Sequence, residues 1–146
     1  MVDVTSKPWT ERRARARCCV KFSDAAGLTV DPSVRHAGVD WSELFTVART
    51  AGVQAAKATA TLIPLCHPLN ISGLDVRLRL TAEGVEIEGV AEVTGPTGVE
   101  MEALTACAVA GLCVIAGLSP TEEVATLEEL TLWEKSGCRS GTWTKP

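Results

Sequence analysis

One short run sets a thiol and an imidazole side by side between two prolines, groups that can move protons and bind anions. The run is Leu62-Ile63-Pro64-Leu65-Cys66-His67-Pro68-Leu69. Proline disfavours helical backbone in the residue before it, so Ile63 and His67 are predicted to be extended and rigidly held. A histidine with a fixed direction that titrates near neutral pH could relay a proton or donate to an anion. The run is equally well explained as a buried connection whose histidine donates to a backbone carbonyl.

A second group of residues suits an anionic ligand. The loop Lys135-Ser136-Gly137-Cys138-Arg139-Ser140-Gly141 combines two cations with backbone amides that its glycines leave accessible. Arginine can grip a phosphate with two parallel hydrogen bonds, whereas lysine acts as a point charge. Lys57 ends a helix-like segment just before the thiol–imidazole run and adds a third cation. Arg15 and Arg17 alternate without any such motif, and we interpret them as solvated surface charges.

The elements that must position these groups follow from hydrophobic periodicity and capping patterns. Residues 14–22 can alternate faces, Leu74, Val76, Leu78 and Leu80 alternate strictly, and apolar positions continue from Val85 to Val93 with Gly89 as a possible bulge. Capping patterns at Asp40/Glu43 and Thr97/Glu100 predict helices that end near Ala58 and Leu118. A final strand is predicted over 128–134. The order strand, helix, strand, strand, helix, strand predicts an α+β, ferredoxin-like βαββαβ fold, an antiparallel sheet with both helices on one face.

The helices are too apolar to face water on their outer sides. From Ala103 to Leu118 only Thr105 is polar, and Ala51 to Ala56 offers only Gln54. A helix that is apolar all round must be covered all round, and this one is too rich in glycine and alanine to be a convincing membrane span. We therefore expect a homo-oligomer in which other subunits cover the helices.

Length and composition set the broad class. The chain has 146 residues, 46% of them apolar and 22% charged, which fits one globular domain over 1–146 with residues 1–13 as a flexible arm. A net charge of −4 argues against broad nucleic-acid or membrane-surface binding. The N-terminus carries no recognisable secretory leader, so we expect a cytoplasmic protein whose cysteines are free thiols. No cysteine or histidine group has zinc-ligand spacing, so no metal site is expected.

Four motifs in order resemble the cyclic pyranopterin monophosphate synthase family, also called molybdenum cofactor biosynthesis protein C. They are Gly52-Val53-Gln54-Ala55-Ala56-Lys57, the run 62–69, Thr97-Gly98-Val99-Glu100-Met101-Glu102-Ala103-Leu104-Thr105-Ala106, and the loop 135–141. The opening Met1-Val2-Asp3-Val4 is also similar to the start of that family. The resemblance covers nearly the whole chain.

The resemblance implies a fold, an assembly and a reaction. It implies a ferredoxin-like subunit in a hexamer, a trimer of dimers, with active sites at subunit interfaces. The implied substrate is a cyclised guanosine triphosphate supplied by an upstream radical enzyme. The family rearranges its purine to a pyranopterin, releases pyrophosphate and closes a cyclic phosphate, without a metal or redox cofactor.

The resemblance also assigns roles to residues. Catalytic positions correspond to Lys57, His67 and Lys135, and substrate contacts to Leu65, Cys66, His67, Glu100, Met101, Glu102, Arg139 and Arg12. An apolar neighbourhood would raise the pKa of a thiol, so Cys66 is not expected to be a nucleophile. Glu100 fits the cap of its own helix and is given a mixed role. Glu102 has no such structural explanation and suits recognition of a pterin or guanine by hydrogen bonds.

The chain departs from the family pattern on the second long helix. The family carries an Asp-x-x-Lys pair fourteen residues after its second glutamate, where this chain has Ala116 and Ser119. Spacing of three residues sets an acid and an amine on one helical face, suited to general acid/base work. A Lys-Gly-Asp before the first helix is also lost, and His36-Ala37-Gly38-Val39-Asp40 stands in its place. Glu122, Glu123 or His36 could substitute, although no spacing supports this.

Three interpretations follow from that departure. The chain could be a divergent homologue that keeps the phosphate and base pocket and runs an altered or shortened rearrangement, which is the interpretation we favour from the sequence. It could be an ordinary cyclic pyranopterin monophosphate synthase with substitute groups. It could also be a non-catalytic binding or partner subunit that assembles with an active homologue.

Overall fold

The structure is a computed structural model that describes residues 1–24, 28–35, 38–118, 124–138 and 141–146. It contains one antiparallel sheet whose strands lie in the order β2-β3-β1-β4-β5. The strands are β1 (Thr10–Ser23), β2 (Gly73–Thr81), β3 (Gly84–Gly95), β4 (Val124–Cys138) and β5 (Gly141–Thr144). The first four have the ferredoxin-like order, so the predicted fold class is confirmed, and β5 extends the sheet beyond β4.

Two long helices pack on one face of this sheet. The helices are α1 (Pro32–Arg35), α2 (Trp41–Lys57), α3 (Thr59–Leu62) and α4 (Glu100–Gly117). The predicted start of α2 is confirmed, because the Asp40 carboxylate accepts a hydrogen bond from the Glu43 backbone N–H at 3.0 Å. Helices α2 and α4 cross closely at Gly52, where an added Cβ would lie 2.8 Å from the Ala106 carbonyl oxygen.

The core lies between the helices and alternate residues of the strands. On β1 these are Ala14, Ala16, Cys18, Val20 and Phe22, all at most 5% exposed. Cys107 of α4 donates its thiol to the Ala16 carbonyl at 3.4 Å, and Cys18 donates to the Cys107 carbonyl at 3.5 Å. The contact with Cys107 and burial raise the pKa of the Cys18 thiol. These two thiols therefore join β1 to α4 as packing groups.

The structure corrects four of the sequence predictions. Residues 10–13, expected in the flexible arm, belong to β1 because Thr10 already pairs with Gly95. Gly89 is not a bulge, since its pairing with β1 and β2 runs on without a register shift. Instead an added Cβ there would lie 2.9 Å from the Ala103 carbonyl oxygen and from Cys107 Sγ. The cap of α4 is Val99, without a side-chain hydrogen bond, and not Thr97. The last strand is longer than predicted, and β5 was not predicted.

The opposite face of the sheet carries a network of ion pairs. Arg13 and Arg15 both reach Glu134, at 3.1 Å and 3.0 Å. Arg17 binds Glu88 at 2.7 Å and stacks on the Trp133 ring, 4.5 Å from its centroid. Arg15 and Arg17 are therefore partly buried and ion-paired on this face, whereas the sequence predicted solvated surface charges.

Helix α4 is, among the residues that the structure describes, the one helix long and apolar enough by length and composition to cross a membrane. Eight of its residues are nevertheless buried against the rest of the chain. That is the arrangement of a core helix.

Candidate active site at one end of the sheet

The antiparallel topology brings most of the predicted site residues to one end of the sheet. β1 begins there, and β3 and β4 end there, because Thr10 pairs with Gly95 and Ala14 pairs with Lys135. Helix α4 starts at this end and α2 finishes there with Lys57. The thiol–imidazole run, residues 62–69, follows α3 at the same end.

Lys135 and Glu100 form the best-defined contact of the site. Lys135 pairs with the buried Ala14, and residues paired across antiparallel strands point to the same face, here the face covered by the helices. Its Nζ atom lies 3.4 Å from Glu100 Oε1, with both side chains partly exposed. Glu100 also folds back over Gly98, where any side chain would collide with the carboxylate. Glu100 was predicted to have a mixed role, in part as the cap of its helix; in the structure its partner is Lys135.

Arg12 holds the loop between β3 and α4. Its Nε donates to the Gly95 carbonyl at 3.1 Å, and Nη2 donates to the Pro96 carbonyl at 3.3 Å. This loop leads directly into Glu100, so Arg12 fixes the entry to the first turn of α4. The sequence suggested only a substrate contact for this residue.

Glu102 lies in the first turn of α4, and Cys66 lies in the thiol–imidazole run. Glu102 is only 4% exposed. Burial is the main reason that the pKa of its carboxyl is raised, and the negative charge of Glu100 raises it further. Burial, and then the charge of Glu102, also raise the pKa of the Cys66 thiol. This direction agrees with the expectation that Cys66 is not an activated nucleophile.

The other predicted residues line the open side of this end. Leu65 and Met101 are exposed, at 71% and 39%. His67 is half-buried and Lys57 is exposed. Within the described part of the chain, neither the His67 nor the Lys57 side chain makes a hydrogen bond or ion pair, so both side chains are available to a ligand.

Two concave surfaces of the described residues lie away from Lys57, His67 and Lys135. The larger, about 720 Å³, lies on the ion-paired face beside Arg17, Arg77 and Arg79. The smaller, about 420 Å³, borders the site and is lined by Arg12 and Ser136. Neither includes Lys57, His67 or Lys135. The site is therefore defined by the chemistry of its residues and not by a cavity.

Several residues named from the sequence lie outside this cluster. Arg139, Ser119, His36, Glu122 and Glu123 lie outside the described residues. Ala116 is exposed near the far end of α4, and sixteen residues at 1.5 Å each put it about 24 Å along the axis from Glu100. An acid at position 116 could therefore serve this site only in a neighbouring protomer. Across the described ranges, no three histidine, cysteine, aspartate or glutamate side chains are grouped to hold a metal ion.

Comparisons with known proteins show the family of the chain. Residues 1–138 match the model of the MoaC family. A cyclic pyranopterin monophosphate synthase of Nocardioides sp. is 43% identical, over 100% of this chain and 89% of that protein. Proteins of the same name from Thermomicrobium roseum and Novosphingobium aromaticivorans are 44% and 41% identical, over 99% and 98% of this chain and 86% and 88% of theirs. The chain belongs to the MoaC family.

Proposed function

We propose that the chain is a cyclic pyranopterin monophosphate synthase, a lyase of molybdenum cofactor biosynthesis. It would convert a cyclised guanosine triphosphate to the pyranopterin, with release of pyrophosphate and closure of a cyclic phosphate. Relatives of this name that are 41–44% identical over nearly the whole chain support the proposal. The structural observation that carries it is the contact of Lys135 with Glu100 beside the buried Glu102. This replaces the altered reaction, favoured from the sequence, as our leading interpretation.

The residues divide between holding the triphosphate and handling the heterocycle. Lys57, Lys135 and Arg139 would bind the triphosphate, and His67 would donate to it or relay a proton. Glu102, whose carboxyl is buried, would recognise a purine or pterin edge by hydrogen bonds. Leu65, Cys66 and Met101 would pack against the ligand. Arg12 would support ligand binding by holding the β3–α4 loop in place. No step requires a cofactor.

We further propose that the working unit is a homo-oligomer, a hexamer built as a trimer of dimers. Leu112 on α4 and Val47 on α2 are each 56% exposed on the helical face, which favours cover by another copy. The exposure of several site residues and the distance of Ala116 from the site also favour a homo-oligomer. A cytoplasmic location, supply of the substrate by an upstream radical enzyme, and the absence of nucleic-acid and membrane partners belong to the same proposal.

Turnover of the cyclised nucleotide tests the proposed function. The full chain is incubated with cyclised guanosine triphosphate, and pyrophosphate is measured together with the fluorescent pterin formed on oxidation. We expect equal amounts of both products. Binding without pyrophosphate release would instead indicate the non-catalytic partner subunit, and pyrophosphate without pterin would indicate an altered rearrangement.

The altered reaction remains a second candidate because of one observation. Position 116 carries an exposed methyl group where the family pattern has a carboxylate. Proton transfer by a positioned group speeds a reaction roughly 10²–10⁴-fold. Loss of the carboxylate would therefore strongly slow a reaction that depends on such a transfer. The double change Ala116→Asp with Ser119→Lys should then raise pterin formation at least about tenfold. A rate that stays at the wild-type value would favour the ordinary synthase with substitute groups.

A further inference from the structure

Strand β5 brings an aromatic side chain next to Lys135. Trp143 pairs with Lys135 and Thr144 pairs with Glu134 in the β4–β5 ladder. The Lys145 backbone N–H continues this register by donating to the Trp133 carbonyl at 2.9 Å. Directly paired residues have Cβ atoms about 4.5–5.5 Å apart and point to one face. Trp143 is thus the immediate cross-strand neighbour of a cation of the proposed site.

The contacts of the hairpin fix which face Trp143 occupies. Lys135 reaches Glu100 of α4, so the pair Lys135 and Trp143 lies on the helix side of the sheet. The other tryptophan of the hairpin, Trp133, lies on the opposite side, between Arg17 at 4.5 Å and Lys145 Nζ at 5.1 Å from its ring centroid. Two tryptophans of one hairpin therefore have different surroundings and can be compared directly.

Trp143 is also free to bind a ligand. It is 41% exposed at the edge of the sheet. Among the described aromatic residues, Trp41 and Phe45 pack on each other at 5.7 Å, Phe22 is buried in the core, and Trp133 is held by two cations. Trp9 is exposed and lies before β1. Only Trp143 among these is a cross-strand neighbour of a proposed site residue.

We propose that Trp143 is a substrate-binding residue whose indole stacks on the heterocycle while Lys135 holds the phosphates. This inference rests on the proposed function, since it needs a purine- or pterin-containing ligand at this end of the sheet. Stacking on an aromatic ring binds any flat base, whereas the hydrogen bonds of Glu102 would select its edge. Trp143 lies beyond residues 1–138, the part matched by the MoaC family model. The site thus extends into β5.

Tryptophan fluorescence with guanosine triphosphate as the probe tests the stacking. In the wild-type chain we expect the nucleotide to quench part of the emission. Trp143→Phe should abolish the quenching, and Trp133→Phe on the opposite face should retain it. Quenching that persists in Trp143→Phe would overturn the proposal.

Calorimetric titration and steady-state kinetics supply the second readout. Trp143→Ala should weaken nucleotide binding and raise KM about 5- to 100-fold, the range expected for a base stacked on an aromatic ring. Trp143→Phe should recover most of this loss, and kcat should change less than KM. Binding within twofold of wild type in Trp143→Ala would refute the proposal. So would a loss of both affinity and thermal stability that Trp143→Phe does not repair, since that result marks a structural role.

The two proposals fail in different ways. If the wild-type chain forms no pterin but its Trp143 is still quenched by nucleotide, the proposed function fails and the stacking role stands. If pterin forms normally and Trp143→Ala behaves as wild type, only the stacking role fails.

Discussion

At the scale of single residues, Glu102 is a proposed site residue whose carboxyl is buried and whose pKa is raised. It lies in the first turn of α4, next to the charge of Glu100. Its position on another side of the helix from Glu100 followed from the sequence, because residues two apart do not share a face. Its burial did not follow, since that depends on long-range packing around the first turn of α4.

The raised pKa of Glu102 predicts how stability depends on pH. Between the ordinary value of 4.5 and the raised folded value, the folded state keeps a proton that the unfolded state has lost. Stability must then fall as the pH rises through that window. Glu102→Gln removes the titrating group, so relative to wild type its Tm should improve as the pH rises from 4 to 8. Glu83→Gln, at an exposed position in the β2–β3 turn, is the control and should follow the wild-type curve. Parallel curves for wild type and Glu102→Gln would contradict the prediction.

Lys135 should matter for activity and little for folding. Its ion pair with Glu100 at 3.4 Å is partly exposed, and such pairs contribute about 0–1 kcal/mol. Lys135→Met should therefore lower the free energy of unfolding by less than about 1 kcal/mol, while pterin formation falls at least about 100-fold. Lys21→Met is the matched control, because Lys21 pairs with Glu128 at 3.5 Å on the ion-paired face. Equal losses of activity in the two variants would remove Lys135 from the site.

At the scale of elements, hydrophobic periodicity and capping patterns predicted the strands and helices that are marked by a local sequence pattern. The alternation from Leu74 to Leu80 marks β2, and the Asp40 cap marks α2. The start of β1 was missed because Thr10 to Arg13 has no apolar alternation, and only its pairing with β3 defines it. The four-residue β5 was missed for a similar reason, since it exists through its ladder with β4. The same strand pairings bring Lys135 near Glu100 and place Trp143 next to Lys135, so these contacts are long-range and have no local sequence pattern.

Gly89 provides a test of the packing between the sheet and α4. An added Cβ would lie 2.9 Å from the Ala103 carbonyl oxygen and from Cys107 Sγ, so the helix must move outward. Gly89→Ala should cost about 1–3 kcal/mol in the free energy of unfolding, measured by denaturant titration. Gly38→Ala, where an added Cβ meets nothing within 4 Å, should be nearly neutral. A neutral Gly89→Ala would mean that α4 does not sit this close to β3.

At the scale of the whole molecule, the proposed oligomer explains why site residues stay open in one chain. Because the helices are apolar on all sides, the sequence predicted that other copies cover them. Leu112 and Val47 are exposed positions on these helices that another copy would cover. The distance of about 24 Å along α4 between Ala116 and Glu100 follows from the predicted helix itself. Whether the missing acid at position 116 affects the reaction therefore depends on how the subunits assemble as well as on the residues of the pocket.

A charge on the exposed side of α4 should break the assembly. Leu112→Glu would place a carboxylate in an apolar interface, which is costly without a partner. We expect light scattering to give a smaller particle than wild type and pterin formation to be lost with it. Leu28→Glu, at a 66% exposed position outside the two long helices, should leave both the mass and the activity unchanged. A wild-type mass that already equals one chain would refute the oligomer.

The most direct test of the site is a crystal structure of the chain with bound guanosine triphosphate, the uncyclised parent of the proposed substrate. We predict phosphate density between Lys57, His67 and Lys135, with the purine between Glu102 and Trp143. Nucleotide bound instead on the ion-paired face, in the cavity beside Arg17, Arg77 and Arg79, would contradict the account.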